Sequence, residues 1–211
     1  MKNLTRRERE KLVRKNLMIK AAKKLFSNYN FNDVTMDEIA NEAEFTKRTL
    51  YQYFSSKEDI YFAVILGGFK KLYSYFQKSI KVKATGYRKL LLAISAYYTF
   101  YKQNPKIFKL MNYVGYVKRN RESSLSYKDF QKFDDLLFRE LARIIEEGQI
   151  DGSIRSDLNP QTTGYALAFL ITGFFQQLSE SGKSFTKFHS MDEDEFIDFI
   201  IDLLLASLSK K

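Results

Sequence analysis

Cysteine is absent from this chain of 211 residues, so it can form neither disulfides nor thiolate metal sites. We expect such a protein in the reducing environment of the cytoplasm. His189 is the single histidine, which argues against a metal site or a catalytic triad built on histidine. No G-x-G-x-x-G or P-loop pattern occurs either. The sequence therefore predicts no enzyme activity, no metal and no cofactor.

Long apolar runs are also lacking. The longest nearly apolar stretch, residues 165–175, has 11 residues, which is too short to span a bilayer. The N-terminal residues MKNLTRRERE are charged and contain no apolar signal-peptide core. We therefore expect a soluble protein with no membrane partner.

Proline and glycine are scarce, at 2 and 9 residues, and no alternation typical of β-strands is evident. Apolar residues instead recur every three or four positions, as in helix 4 from Lys57 to about Lys81. We predict an all-α protein of about nine helices. Among their ends, we expect a left-handed exit at Asn30, an N-cap at Ser190 and a helix 8 from Pro160 to about Ser181.

The net charge of +10 is unevenly distributed. Residues 61–128 contain 14 Lys and Arg but one Glu, whereas residues 129–211 contain 8 basic and 15 acidic residues. A basic balance favours nucleic acid as a partner. The first interpretation of the lysines in residues 61–128 is a solvated helical surface. The second is a general electrostatic attraction to DNA or to an anionic effector.

Residues 34–59, VTMDEIANEAEFTKRTLYQYFSSKED, carry the clearest signal. Thr35 and Glu38 have capping-box spacing, and Thr46 can cap a second short helix. If Leu50 and Phe54 face inward on that helix, Arg48 and Gln52 point outward. Arginine and glutamine side chains are suited to base edges in a DNA major groove.

The same stretch resembles the DNA-binding domain of TetR/AcrR-type transcriptional regulators. The matching residues are Thr35, Ile39, Ala40, Ala43, Thr46, Lys47, Thr49, Leu50, Tyr51, Tyr53, Phe54, Ser56, Lys57 and Glu58. Two positions depart from the family pattern. Glu44-Phe45 replaces the usual Gly-Val of the turn, at a cost on the order of 1 kcal/mol if the turn is left-handed. Arg48 replaces a small residue, which suggests a base contact of its own.

The resemblance implies an N-terminal helix-turn-helix domain over residues 1–56 and a helical effector-binding and dimerisation domain over residues 57–211. The expected phosphate anchors are Thr35, Thr46, Tyr51, Tyr53 and Lys57. The full set of expected DNA contacts adds Lys47, Arg48, Thr49 and Gln52. The partner is then double-stranded DNA with a palindromic operator. The basic residues 1–24 form either an arm that reaches DNA or a frayed tail.

The resemblance also implies an effector pocket bounded by helices 4 to 8. At helical spacing most aromatic residues belong to the core, but the inward faces offer candidate ligand contacts: Phe69, Tyr73, Tyr97, Tyr101, Phe108, Met111, Phe133 and Phe169. Such a pocket suits a hydrophobic or aromatic compound. Helix 4 starts beside the DNA motif and is the expected mechanical link to this region.

The last two helices are apolar on more than one side, which predicts burial against a second subunit. The resemblance implies a homodimer held by a four-helix bundle of these helices. We predict a dimeric, ligand-responsive DNA-binding regulator that acts as a repressor. The alternatives are a constitutive dimeric DNA-binding protein without a ligand switch and a helical protein-interaction module.

Overall fold

The computed structural model describes residues 5–117 and 124–210. Across these residues it contains nine α-helices, one short 3-10 helix and no β-strand, which confirms the prediction of an all-α fold. The helices are α1 (Arg6–Asn28), α2 (Met36–Glu42), α3 (Lys47–Tyr51), α4 (Lys57–Ile80), α5 (Gly86–Gln103), α6 (Pro105–Asn112), α7 (Leu125–Ile150), α8 (Pro160–Phe188) and α9 (Glu193–Ala206), and the 3-10 helix is Tyr113–Tyr116. The polar sequence KRNRESSLS predicts a loop at residues 118–126; most of it lies outside the described residues, and its last two residues belong to α7. No helix in the described ranges is both long and apolar enough to cross a membrane.

Side-chain caps set most of the helix starts. Thr5 and Glu8 form a capping box on α1, and the predicted capping box of Thr35 and Glu38 is present on α2. Three expectations about helix ends are wrong. Asp192, rather than Ser190, caps α9, because its carboxylate accepts hydrogen bonds from two N–H groups of the first turn. The chain leaves α1 in an extended conformation at Tyr29 instead of a left-handed one at Asn30. Lastly, α8 continues to Phe188.

The chain divides into two compact units. The N-terminal unit comprises residues 1–69 and 110–132, and the C-terminal unit comprises residues 70–109 and 133–211. Two long helices, α4 and α7, begin in the first unit and continue into the second along the chain. The expected boundary between residues 56 and 57 stays a prediction.

Aromatic rings form the centre of the N-terminal unit. Phe26, Phe31 and Tyr61 contact one another with ring centroids 5.2–5.6 Å apart. The Tyr61 hydroxyl donates a hydrogen bond to the Leu110 carbonyl, and burial raises the pKa of this phenol. This core fixes α1 and the first half of α4 around the two short helices between them.

A tight approach of two backbones organises one end of the C-terminal unit. A Cβ atom on Gly86 would lie 2.2 Å from the Gly148 nitrogen, so only glycine fits at the start of α5. The Asp151 carboxylate accepts a hydrogen bond from the Gly86 N–H at 2.7 Å, and the Ser153 hydroxyl accepts one from the Tyr87 N–H at 3.1 Å. The turn after α7 therefore caps α5 from outside its own sequence.

Candidate DNA-binding surface and effector region

The candidate DNA-binding surface is built on α2 and α3. Each helix begins at a threonine whose hydroxyl accepts a backbone N–H: Thr35 from Glu38 at 3.2 Å, and Thr46 from Thr49 at 3.1 Å. The Thr35 hydroxyl also donates to the Glu38 carboxylate at 2.9 Å. Both threonines predicted as phosphate contacts thus have a structural role in forming the motif.

The turn between the two helices adopts the left-handed conformation that its sequence disfavours. Glu44 has φ of 59°, and its N–H bonds to the Asn41 carbonyl at 3.0 Å while the Phe45 N–H bonds to the Ala40 carbonyl at 2.9 Å. A side chain with a Cβ atom costs on the order of 1 kcal/mol in this region. The turn geometry is therefore kept despite the absence of glycine.

The inward and outward faces of α3 are those predicted from its spacing. Leu50 of α3 is buried, and so is Phe54, which lies three residues beyond the end of the helix; Arg48 and the C-cap residue Gln52 are exposed. Tyr51 is also exposed. In a helix of five residues, only packing can hold this orientation, because so short a helix is not stable in isolation. The two buried side chains therefore aim the arginine and the amide away from the protein.

The other side chains predicted to contact DNA near α3 are paired with neighbouring groups or partly buried. The Lys47 ammonium pairs with the Asp37 carboxylate at 2.7 Å, and this hydrogen bond raises the pKa of the lysine. The Thr49 hydroxyl lies 2.8 Å from that of Thr46. Thr49 and Tyr53 are half-buried. These groups border the exposed face that Arg48 and Gln52 form.

Lys57, the predicted phosphate anchor, is occupied within the protein. Its ammonium donates to the carbonyls of Phe31 (2.6 Å), Val34 (2.7 Å) and Asn32 (3.3 Å) and lies 4.5 Å from the centre of the Phe31 ring. Burial lowers the pKa of this amine. A phosphate contact would have to replace these bonds, so the phosphate role stays a prediction. The sequence contains no signal for this cluster of carbonyls, because any residue supplies one.

Two residues with structural importance were not singled out from the sequence. Asp59, in the first turn of α4, is a buried carboxylate that accepts four hydrogen bonds. Lys15 of α1 lies 5.5 Å from the centre of the Phe54 ring, behind the end of α3. Helical periodicity shows which face a residue lies on, but not which distant residue it meets.

The predicted effector contacts fall in both units. In the N-terminal unit, Phe69 packs against Phe130 with ring centroids 5.1 Å apart, and Met111 is buried. In the C-terminal unit, Tyr73 packs against Phe133 at 5.4 Å. The half-buried and buried rings of Tyr97, Tyr101 and Phe108 form a separate cluster there.

Phe175 of α8 completes this cluster, which we call the aromatic cluster of the C-terminal unit: Tyr97, Tyr101, Phe108 and Phe175. The Phe175 ring is fully buried and lies 5.3 Å from both tyrosine rings. Burial raises the pKa of Tyr97, so its hydroxyl stays neutral in this apolar setting. The sequence does not single out Phe175, because α8 is apolar around most of its circumference and its inward face is ambiguous from spacing alone.

The interpretation of Phe169 as an inward-facing residue is wrong. Its side chain is 82% exposed on α8. A similar exposure recurs on α9, where Phe199 is 62% and Leu203 59% exposed. These three residues, with Leu170 and Phe188, define an exposed apolar face of the last two helices. Such a patch marks an interaction surface in a water-exposed protein.

A groove of about 570 Å³ also lies in the C-terminal unit, between α4 and α5. None of the predicted effector contacts lines it; its walls are Lys71, Ser74, Tyr75, Lys78, Ser79, Leu92, Ser95, Ala96 and Thr99. Within the described part of the chain, no group of three or more His, Asp or Glu residues could hold a metal ion. His189 is exposed beside Phe185 and Phe188.

Comparison with known proteins identifies the family. Residues 18–64, which include α2, α3 and the start of α4, match the family model of bacterial regulatory proteins of the tetR family. Residues 18–64 are therefore a TetR-family helix-turn-helix motif. TetR-family proteins of this kind are helix-turn-helix transcriptional regulators rather than enzymes, and this chain is a DNA-binding regulator of that type.

Two curated TetR-type relatives differ in how much they align. The HTH-type transcriptional activator FasR of Mycolicibacterium smegmatis is 29% identical over 104 residues, so the match spans 49% of this chain and about half (48%) of that protein. The HTH-type transcriptional repressor NicS of Pseudomonas putida is 24% identical over 203 residues, which cover 92% of this chain and 91% of that protein.

Solved structures show that the TetR fold extends over most of the chain. The transcriptional regulator FadR of Bacillus subtilis, in complex with stearoyl-CoA, superposes with a TM-score of 0.72 at 20% identity and covers 92% of this chain and 98% of its own. The fatty acid degradation regulator FadR of Bacillus halodurans has a TM-score of 0.67 at 15% identity, over 90% and 94% of the two chains. At these identities the likeness concerns the fold alone.

Proposed function

We propose that this TetR-family regulator is a homodimeric repressor that reads a palindromic operator with α3 and is released by a small-molecule effector. The exposed Arg48 and Gln52 on a helix anchored by Leu50 and Phe54 carry the proposal. Arginine can bond guanine O6 and N7 together, and glutamine can bond adenine N6 and N7. A cytoplasmic location is part of this proposal.

The proposed phosphate contacts surround these two side chains. Thr35, Thr46, Lys47, Thr49, Tyr51 and Tyr53 supply hydroxyl or ammonium donors along the edge of α2 and α3. Contacts of this kind fix the register of a protein on DNA without carrying sequence information. Lys57 joins them only if DNA draws its ammonium away from the three carbonyls it now bonds.

Dimerisation through α8 and α9 is supported by their exposed apolar face. Phe169, Phe199 and Leu203 would be buried against the same face of a second copy, which satisfies the two-fold symmetry that a palindromic site requires. The side chains of this face are themselves uncharged, so pairing two copies through it brings no like charges of the face into direct contact.

Repression and effector release are supported by the relatives. NicS, named as a repressor, aligns over nearly the whole of this chain, whereas FasR, named as an activator, aligns over half of it. The Bacillus subtilis FadR structure contains stearoyl-CoA, a ligand with a long apolar chain. The aromatic cluster of the C-terminal unit supports a hydrophobic or aromatic effector for this protein, with α4 as the link to the DNA motif.

Selection of bound duplexes from a random DNA pool tests the proposal. We expect a palindromic consensus and a strong loss of affinity when one half-site is scrambled, because two recognition helices engage together. No enrichment of any sequence would favour the helical protein-interaction module. Enrichment without a palindrome would contradict the symmetric reading of the operator.

Effector release is tested on the selected duplex with a panel of fatty acyl-CoA, fatty acid and aromatic compounds. A true effector must bind the free protein more tightly than the operator-bound protein. The ratio of these two ligand affinities must equal the factor by which the effector lowers the affinity for DNA. A tenfold effect corresponds to about 1.4 kcal/mol of coupling. A ligand that binds both forms equally would favour the constitutive alternative.

A further inference from the structure

A single buried carboxylate joins the end of the helix-turn-helix motif to the start of α7. Asp59 lies in the first turn of α4 and is only 4% exposed. Its Oδ2 accepts hydrogen bonds from the Ser55 N–H at 3.0 Å and from the Ser55 hydroxyl at 3.2 Å. Its Oδ1 accepts bonds from the Ser124 hydroxyl at 2.8 Å and from the Ser126 N–H at 3.1 Å. Each oxygen therefore holds a different segment of the N-terminal unit.

The segment held by Oδ1 is the N-terminus of α7, 65 residues further along the chain. Ser124 precedes the helix, and its hydroxyl accepts the Tyr127 N–H at 3.0 Å, while the Ser126 N–H is one of the first free donors of the helix. The first turn of α7 has no acidic residue of its own. Asp59 supplies the negative charge that a helix N-terminus favours.

The segment held by Oδ2 is the end of the DNA motif. Ser55 directly follows Phe54, whose buried ring and N–H bond to the Leu50 carbonyl (3.1 Å) anchor the last turn of α3. Burial raises the pKa of Asp59, but the bonds from Ser55, Ser126 and Ser124 outweigh it and lower the pKa below its usual range. The group is thus a carboxylate at neutral pH, with both oxygens engaged.

We propose that Asp59 is a positioning residue for operator reading, which fixes the exit of α3 against the first turn of α7. This inference rests on the proposed DNA-binding function, and it adds a residue that does not touch DNA. Because α3 is short, its aim depends on Phe54 and on the segment that follows it. Loss of the Asp59 link frees Ser55, and the outward face of α3 loses its fixed orientation.

The test must separate positioning from simple stabilisation of α7. Leu125, the first residue of α7, is 75% exposed, so Leu125→Glu adds a negative charge to the helix N-terminus without disturbing the core. The single variant Leu125→Glu serves as the background. In the double variant Asp59→Asn/Leu125→Glu, α7 has its own charge but the bond to Ser55 is weakened, because one amide group cannot accept from all four donors.

We expect the double variant to approach the background variant Leu125→Glu in thermal stability. Its affinity for the selected operator duplex should stay about tenfold lower than that of the background. Its preference among single-base operator variants is retained, since Arg48 and Gln52 are unchanged. Equal affinity of the double variant and the background would overturn the positioning role. A wild-type protein that binds no selected duplex would instead refute the proposed function.

Hydrogen exchange without DNA examines the same link independently. In the double variant the amides of Tyr53 and Phe54, which bond to the Leu50 carbonyl, should exchange faster than in the background, while those of α1 are unchanged. If the double variant does not fold, Ser124→Ala removes one bond to Asp59 and keeps its charge. Unaltered exchange at Phe54 in the variant that folds would contradict the inference, whether or not DNA binds.

Discussion

Two exposed faces of this protein differ in chemistry and therefore in the partner that each can accept. The outward face of α3 exposes Arg48 and Gln52, whose groups hydrogen-bond with water as well as with base edges. The outward face of α8 and α9 exposes Phe169, Phe199 and Leu203, which are better removed from water. Exposure alone identifies neither surface; the chemistry of the exposed atoms is what favours DNA as the partner of one and a second protein surface as the partner of the other.

The two faces also differ in how they are held. α3 has five residues and depends on Leu50, Phe54 and the turn at Glu44, whereas α8 has 29 residues and is stable over its length through packing. Substitutions near α3 should therefore change its aim. Substitutions on α8 and α9 should change what the protein associates with while its helices remain.

The largest effect is expected from placing charge on the apolar face. Phe199→Asp/Leu203→Asp should prevent association and lower operator affinity on the order of 10²–10⁴-fold, because the second half-site is no longer bound within one molecule. Analytical ultracentrifugation and DNA titration measure both results. Val82→Asp is the matched control, since Val82 is also apolar and exposed but lies outside α8 and α9. If the double variant were still a dimer, this face could not be the dimer interface.

The second prediction tests whether Lys57 stabilises the fold or contacts DNA. Lys57→Met keeps the aliphatic stem but leaves the carbonyls of Phe31 and Val34 without their ammonium donor, which should lower the free energy of unfolding by about 3 kcal/mol. Chemical denaturation measures this change. Lys47→Met breaks an exposed pair with Asp37, and we expect it to leave the free energy of unfolding nearly unchanged.

The salt dependence of DNA binding by the same two variants separates the roles. A phosphate contact should lower the slope of log K against log salt by about one for each lysine removed. We expect this decrease for Lys47→Met. If Lys57→Met shows it as well and loses no stability, the anchor role is refuted and Lys57 is a phosphate contact.

Arg48→Ala should lower affinity for the selected operator by roughly 1–3 kcal/mol and relax the preference at one base pair in each half-site. Titration against single-base operator variants checks this. Arg88→Ala is the control, because Arg88 is exposed on α5 in the other unit. An unchanged base preference would exclude Arg48 from base reading and would leave Gln52 as the remaining candidate.

The smallest effect is expected at the turn between α2 and α3. Glu44→Gly should raise the free energy of unfolding by up to about 1 kcal/mol, because relief of the left-handed strain exceeds the entropy that glycine adds to the unfolded chain. Ser190→Gly, at φ of 54° before α9, is a matched change in the C-terminal unit. Thermal unfolding compares the two, and a destabilised Glu44→Gly would show that the glutamate makes a favourable contact at this turn.

Local patterns in the sequence were sufficient for the helix-turn-helix and its polarity. The Thr35 and Glu38 spacing gives the α2 capping box, and the four-residue spacing of Leu50 and Phe54 decides that Arg48 faces outward. These features depend on residues within one or two turns of each other. The helical period and the chemistry of caps are the same in any protein, so they can be read without the fold.

Tertiary structure decided what depends on distant residues. Spacing could not show that Lys57 bonds the carbonyls of Phe31, Asn32 and Val34, nor that Asp59 bonds the start of a helix 65 residues away. It also placed Phe169 inward, because α8 is apolar on several sides and only its neighbours determine which side is covered. The local sequence does not show which carbonyl, helix N-terminus or apolar face a distant side chain will contact. These contacts are determined only by the tertiary structure.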